Sequence, residues 1–312
     1  MSATIGVALS PSSADLATTS MAELTAAVVE SGFASLWTLD NPLGDQAEPL
    51  VFLTSAASLA PALGVGTAAI VGPVRDPILL AKQVATLDRI TGGGRVTLGL
   101  TIGRRTDEYD LIGHDFRRRG RMLEDLVQVL KQCWSGEPIH VDGAERSWTS
   151  AGPVGVPPAT PGGPQVLLGG HVPAALERCV RVADGYLGSA TGGPKEAIAA
   201  LGRVHDLVGS SPRDGSAFRC TTNVFVVVAE TRDQAVEAAT ATFVRRHGGR
   251  KPPWDPADVV IGGPPAEVAD GVAQLVDAGY AGVNLVPVLG TLEQVRALTP
   301  VVTAVSGAPT RA

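Results

Sequence analysis

Eight short apolar segments, each followed by a stretch of helical periodicity, run the length of this chain and leave it few folds to adopt. The apolar runs fall at 5–9, 33–39, 63–71, 95–101, 165–168, 185–189, 218–229 and 282–287. Clear helix signals lie between them. Ser20-x-x-Glu23 forms a capping box, in which two side chains satisfy orphan amides at a helix start, and Gly32 ends the helix. Asp76-Pro77 joins an N-cap acceptor to a proline, whose missing N–H is no loss at the first helical position. Met122, Leu123, Leu126, Val127, Leu130, Cys133 and Trp134 recur at helical spacing over about 115–134. Thr231-x-x-Gln234 and Thr291-x-x-Gln294 repeat the capping pattern. Alternating strands and helices predict a parallel sheet, and eight such units favour closure into a (β/α)8 TIM barrel. No GxGxxG follows the first strand, so the usual Rossmann fingerprint is missing.

Composition agrees with a large buried core. Of 312 residues, 45% are hydrophobic and 18% charged, which excludes a disordered chain. The whole chain, 1–312, therefore reads as one α/β barrel domain with loop insertions at about 136–164 and 248–262. A net charge of −6 opposes a nucleic-acid partner. Cys133, Cys179 and Cys220 are far apart and form no CxxC pair, so neither a disulfide framework nor a metal site is expected. The start of the chain lacks the basic and apolar regions of a signal peptide, giving a cytoplasmic expectation. Residues 49–74 are uncharged and long enough to cross a bilayer, but Pro61, Gly64, Gly66 and Pro73 break the run. A buried helix leading into a buried strand explains it better.

In a parallel barrel the chemistry collects at the carboxyl ends of the strands. One such end reads Leu168-Gly169-Gly170-His171-Val172-Pro173, between a strand and a proline-started helix. Glycines let main-chain amides approach an anion, and the helix start adds unpaired N–H groups, so this is a candidate phosphate seat or a plain tight turn. Gly103-Arg104-Arg105 follows another strand, where guanidinium groups suit a phosphate or carboxylate. Arg117, Arg118, Arg119 and Arg121 lie close by, with Asp107, Glu108, Asp110 and Asp115 to offset them as a surface network. Asp40-Asn41 ends the second strand and is a candidate catalytic pair or a turn. His171 is a third candidate catalytic residue, with a lining or structural role as the alternative. The other histidines show no metal spacing, and no Ser-His-Asp or GxSxG arrangement supports nucleophilic hydrolysis.

The block from Arg75-Asp-Pro-Ile through Arg95-Val-Thr-Leu-Gly-Leu-Thr-Ile-Gly103 resembles the signature of the bacterial luciferase-like oxidoreductases. Glu108-Tyr109, Gly113, Phe116, Arg119-Gly120, Glu124 and Trp134 continue the likeness, as do Leu167-Leu-Gly-Gly-His171 and Ala183-Asp-Gly-Tyr186. The resemblance implies a modified (β/α)8 barrel, commonly a homodimer, that holds reduced FMN or the deazaflavin coenzyme F-420 without covalent attachment. It puts the cofactor phosphate near Gly169, Gly170, His171 and Val172. The ring would then lie over Ala68, Ala69 and Ile70 and over Thr101, Gly103 and Arg104. The chain departs from many deazaflavin-dependent dehydrogenases, which carry His at the position of Asn41 and, in some, Glu at that of Arg104.

These features lead to an expected monooxygenase, using reduced FMN from a separate flavin reductase and dioxygen on a small organic substrate. The alternatives are hydride transfer with coenzyme F-420, and a flavin-binding barrel without turnover. Segments 136–164 and 248–262, the latter with Trp254, are candidate lids, surface excursions or dimer contacts.

Overall fold

A computed structural model describes residues 3–143 and 145–307. Eight parallel strands form a closed ring: β1 (Thr4–Ala8), β2 (Ser35–Thr38), β3 (Gly64–Thr67), β4 (Val96–Thr101), β5 (Gln165–Gly169), β6 (Gly185–Gly188), β7 (Arg219–Val228) and β8 (Gly282–Pro287). Each pairs with its sequence neighbour. Thr4↔Gly282 through Val7↔Leu285 joins the last strand to the first. The predicted (β/α)8 barrel is therefore the observed fold. A short further strand, Ile70–Val71, continues the third segment after Ala68-Ala69, whose peptide bond is cis.

Alternation along each strand sorts the side chains into two layers. Val7, Leu36, Val65, Leu98, Leu100, Val166, Leu168, Val283 and Leu285 face outward and pack with helix residues such as Ala27, Leu53, Val84 and Leu130. Ala8, Trp37, Leu167, Leu187 and Val286 point inward. Small neighbours leave the inner side chains room. A Cβ at Gly66 would lie 2.4 Å from Cε3 of Trp37, and one at Gly99 would lie 2.7 Å from a methyl of Leu187. The Trp37 indole donates to Ser35 Oγ at 2.8 Å, and Asn284 donates to Asn223 Oδ1 at 3.1 Å. Both inward polar groups are thus paired inside the barrel.

Residues 49–74, apolar enough to resemble a span, form the helix Pro49–Leu59 and the buried strand β3. No helix among the described residues is long and apolar enough to cross a membrane. Segment 136–164 holds an antiparallel hairpin, Pro138–Asp142 with Ser147–Pro153. Arg146 ties its tip to Asp76 at 2.9 Å, and Glu145 pairs with Arg118 at 2.9 Å. The hairpin is fastened to the barrel's flank.

Three helices, rather than the single one of a regular unit, separate β7 from β8: Arg232–Arg246, the short Pro256–Val259 and Pro265–Asp277. Pro265–Asp277 is the outer helix, preceded by a strand, Val260–Gly263, that pairs parallel to the upper half of β7. The helix Arg232–Arg246 instead covers the inward side of β7 where that strand extends above its neighbours. Ala235, Ala239 and Phe243 pack there with Val227 and Val288. Phe243 meets the inward-pointing Phe225 edge-on at 5.0 Å, and Trp254 stacks edge-on against Phe243 and His247. This aromatic group roofs one side of the barrel mouth.

Inner-layer packing and open helix surface differ sharply in their tolerance of an added methyl group. Gly66→Ala must displace the Trp37 ring and is expected to lower stability by about 1–3 kcal/mol. Gly202→Ala, on an exposed helical position with nothing within 4 Å, is expected to raise it by up to ~1 kcal/mol. Denaturant unfolding of both variants checks the pair.

Candidate active site

Parallel strands bring eight carboxyl ends to one rim, and the sequence-predicted residues fall on the adjoining ends of β2, β3, β4 and β5. Gly169 closes β5, and Gly170 follows with φ +148°, a conformation that L side chains rarely adopt. A Cβ on Gly170 would also lie 2.5 Å from that of Ala175. His171 and Val172 stand exposed at the rim. Val172 begins the helix Pro173–Val182, whose start no side chain caps. The helix after β6, Gly193–Gly209, likewise starts at Gly192 with no side-chain cap. Ser20, Glu48, Asp76, Thr231 and Thr291 cap their helices, whereas the helices Arg119–Ser135 and Pro265–Asp277 also start without a side-chain cap. Two adjacent helix starts at the rim thus keep N–H groups and positive dipole ends available to an anion. That arrangement fits the phosphate of a flavin or deazaflavin nucleotide.

Beside this seat the wall is built of small groups. Ala68 and Ala69 belong to the inner layer, and Thr101 lies next to Gly169. Ile70 turns its side chain into the outer core, leaving only its main chain for the mouth. Gly103 takes φ +68°, and a Cβ there would meet Val71 at 2.8 Å. Arg104 is exposed and makes no hydrogen bond or ion pair among the described residues. Its neighbour Arg105 is held by Asp107, with Nε 3.0 Å from Oδ1.

Asp40 is engaged on all sides. Its buried carboxylate accepts two hydrogen bonds from Arg75 at 2.9 and 3.0 Å and one from the Val71 N–H at 3.1 Å. Arg75 also bonds Glu48 at 3.0 Å. This cluster ties the loops after β2 and β3 together. Asn41 donates to Gln46 Oε1 at 2.8 Å within its own loop.

The sequence pattern places Glu108 among the surface charges that offset the arginines, whereas the structure buries it. It is 5% exposed, and its Oε2 is buried without a hydrogen-bond partner. Burial pushes its carboxyl above the ordinary range; Arg105 pulls it back, while Asp107 and Asp40 push it further. The only hint in the sequence was its place in the Glu108-Tyr109 part of the family block. Arg75 as the partner of Asp40 was equally hidden, because the two are remote in sequence. The cysteines are buried, and burial raises Cys133 and Cys220 to about 11 and Cys179 to about 12, so none is a ready nucleophile. Among the described residues no three His, Cys, Asp or Glu side chains gather as metal ligands.

The family model for luciferase-like monooxygenases matches residues 2–282. The chain belongs to this family. A dimethylsulfone monooxygenase dependent on FMNH2, from Pseudomonas putida, is 30% identical over 165 residues, 51% of this chain and 43% of the relative. A phthiodiolone/phenolphthiodiolone dimycocerosates ketoreductase from Mycobacterium sp. (strain JLS) is 28% identical over 212 residues, 64% of this chain and 55% of the relative. The matches span about half the length of these curated relatives. Among solved structures, a coenzyme F-420-dependent tetrahydromethanopterin reductase from Methanopyrus kandleri superposes with a TM-score of 0.77 at 18% identity, over 97% of this chain and 98% of the other. A monooxygenase from Streptomyces bottropensis gives 0.76 at 17%, over 96% and 97%. Both structural likenesses concern the fold.

The setting of Glu108 carries a pH signature. Below the ordinary value of 4.5 its carboxyl is protonated in folded and unfolded chains alike. As pH rises the unfolded chain ionises first, so stability falls until the folded carboxyl ionises too. Glu108→Gln should abolish this loss. Denaturant unfolding from about pH 4 to 8 should show the wild type weakening relative to the variant; a constant difference would contradict the assignment.

Proposed function

We propose that the protein is a monooxygenase that takes reduced FMN from a separate flavin reductase and oxidises a small organic substrate with dioxygen. The reading rests on family membership and above all on the glycine-flanked, uncapped helix starts after β5 and β6. Bound there, reduced FMN would supply the electrons that activate dioxygen; the chain supplies position and exclusion of water.

Each predicted residue has a part in this proposal. Main-chain amides around Gly169, Gly170, His171 and Val172 hold the phosphate, and His171 stands at the edge of the seat. Ala68, Ala69, Ile70, Thr101 and Gly103 offer small side chains or main chain as a floor for the ring, and Arg104 guards its outer margin. Asp40 positions the loops after β2 and β3 through Arg75 and the Val71 amide, and Asn41 presents a carboxamide beside them. Phe225, Phe243 and Trp254 shield the mouth on the β7 side. Asn41 and Arg104 do not exchange protons near neutral pH, which favours this reaction over hydride transfer with coenzyme F-420. The arginines near the rim, Arg104, Arg105 and Arg117, suit the acidic tail of F-420 and keep that reading as the second. A cytoplasmic homodimer completes the proposal, with Val51 and Leu59 exposed on the helix Pro49–Leu59 as available contact surface.

Anaerobic titration of the apoprotein with reduced FMN and with F-420, followed by oxygen-uptake measurements, tests the choice. Micromolar binding of reduced FMN is expected, and Gly170→Ala should weaken it by about tenfold or more, since a methyl group there strains the backbone and presses on Ala175. Tight binding of F-420 with no oxygen uptake would establish the alternative reaction instead. Flavin binding without turnover of any substrate would identify a non-catalytic barrel.

A further inference from the structure

A concavity of about 320 Å³ lies on the outer flank of the mouth, between the loop after β2, residues 74–75 and the short helix Thr106–Asp110 with the two residues that follow it. Its walls include Leu43, Val74, Leu111 and Ile112. Leu43, Leu111 and Ile112 are 41%, 71% and 43% exposed, an unusual amount of bare aliphatic surface for one place. Its polar lining carries Asp40, Glu48 and Glu108 against the single cation Arg75. Arg75 is consumed by Asp40 and Glu48. Glu108 is not answered in the same way: its Oε2 is closed off from solvent, while its Oε1 makes no hydrogen bond among the described residues and lies 3.9 Å from an Arg105 already committed to Asp107.

We propose that this cleft binds a primary alkylammonium ion, with the ammonium at Glu108 and the hydrocarbon chain along Leu43, Leu111 and Ile112. The chemistry follows from the lining. A largely buried carboxyl whose Oε1 makes no hydrogen bond gains most from a charged donor there, because the bond is charge-assisted and is made largely away from water. The surplus of carboxylates attracts a cation and repels an anion. The aliphatic wall then contributes in proportion to the chain length that it covers. The site stands whichever cofactor the mouth accepts, so it succeeds or fails independently of the proposed reaction.

Binding also couples to protons. The charged or titratable groups around Glu108 are Arg104, Arg105, Asp107 and Tyr109 from its own segment and Asp40 from the loop after β2. An arriving ammonium favours the ionised carboxyl, so affinity rises with pH until Glu108 is ionised in the free protein.

Isothermal titration of the apoprotein with n-hexylamine, n-hexanol and n-hexanoate near neutral pH tests the proposal. The amine should bind at least about tenfold more tightly than the alcohol or the acid, the worth of one charge-assisted hydrogen bond. Glu108→Gln should erase that preference, and Leu111→Ser, at an exposed position that leaves the fold intact, should weaken the amine while keeping it. Equal binding of the three probes, no binding, or an unchanged preference in Glu108→Gln would overturn the site. So would a Leu111→Ser variant that binds amine normally but turns a dimer into monomers, because the aliphatic wall would then belong to a second copy of the chain.

Discussion

Eight strands can share one ring only if most of what points inward is small enough for a few large side chains to fill the middle. Trp37, Leu167 and Leu187 fill it here, and glycines such as Gly66 and Gly99 face them. The ring in turn fixes where every strand ends. Asp40, Ala68, Thr101, Gly103, Gly169 and Gly170 are scattered through 130 positions of sequence, yet they gather along one arc of rim because β2, β3, β4 and β5 are neighbours. The candidate site is a consequence of closure, and the loops only decorate it.

Most of that architecture can be read from the chain directly. All eight apolar runs become barrel strands, since buried parallel strands need continuous apolar sequence and several of the helices carry explicit caps. The insertions are less legible. Pro138–Asp142 and Ser147–Pro153 do alternate in burial, but they are short, the second is nowhere fully buried, and the hairpin's seat depends on long-range contacts such as Arg146 with Asp76. The helix Arg232–Arg246 has sound capping but no sign of its position. Ala235, Ala239 and Phe243 would serve an outer helix equally well, and only the extra strand Val260–Gly263 reveals that β7 overtops the barrel. The end-to-end run through 63–71 also breaks in two, at Ala68-Ala69.

The site was legible where backbone geometry dominates and obscure where pairing does. A glycine pair ahead of a proline-started helix announces a tight, open anion seat, and the missing side-chain cap at Val172 agrees with it. Charge patterns near the rim were a poorer guide. Arg104 and Arg105 look alike in sequence, yet the first makes no hydrogen bond or ion pair among the described residues and the second is bound to Asp107. Asp40 reads in sequence as half of a candidate catalytic pair or as a turn residue, while the structure gives its carboxylate three hydrogen bonds that join two loops. Glu108, among several exposed acids in sequence, is the buried one with an oxygen to spare. Pairing of this kind depends on which strand ends become neighbours, and no local pattern reports it.

The anion seat after β5 is the feature on which the proposed chemistry depends. A crystal structure of the protein with FMN bound addresses it most directly. The phosphate oxygens should accept hydrogen bonds from main-chain N–H groups between Gly170 and the start of the helix Pro173–Val182, with the ring toward Ala68, Ala69 and Gly103. A phosphate held instead on the β7–β8 side, beneath the helix Arg232–Arg246, would contradict it.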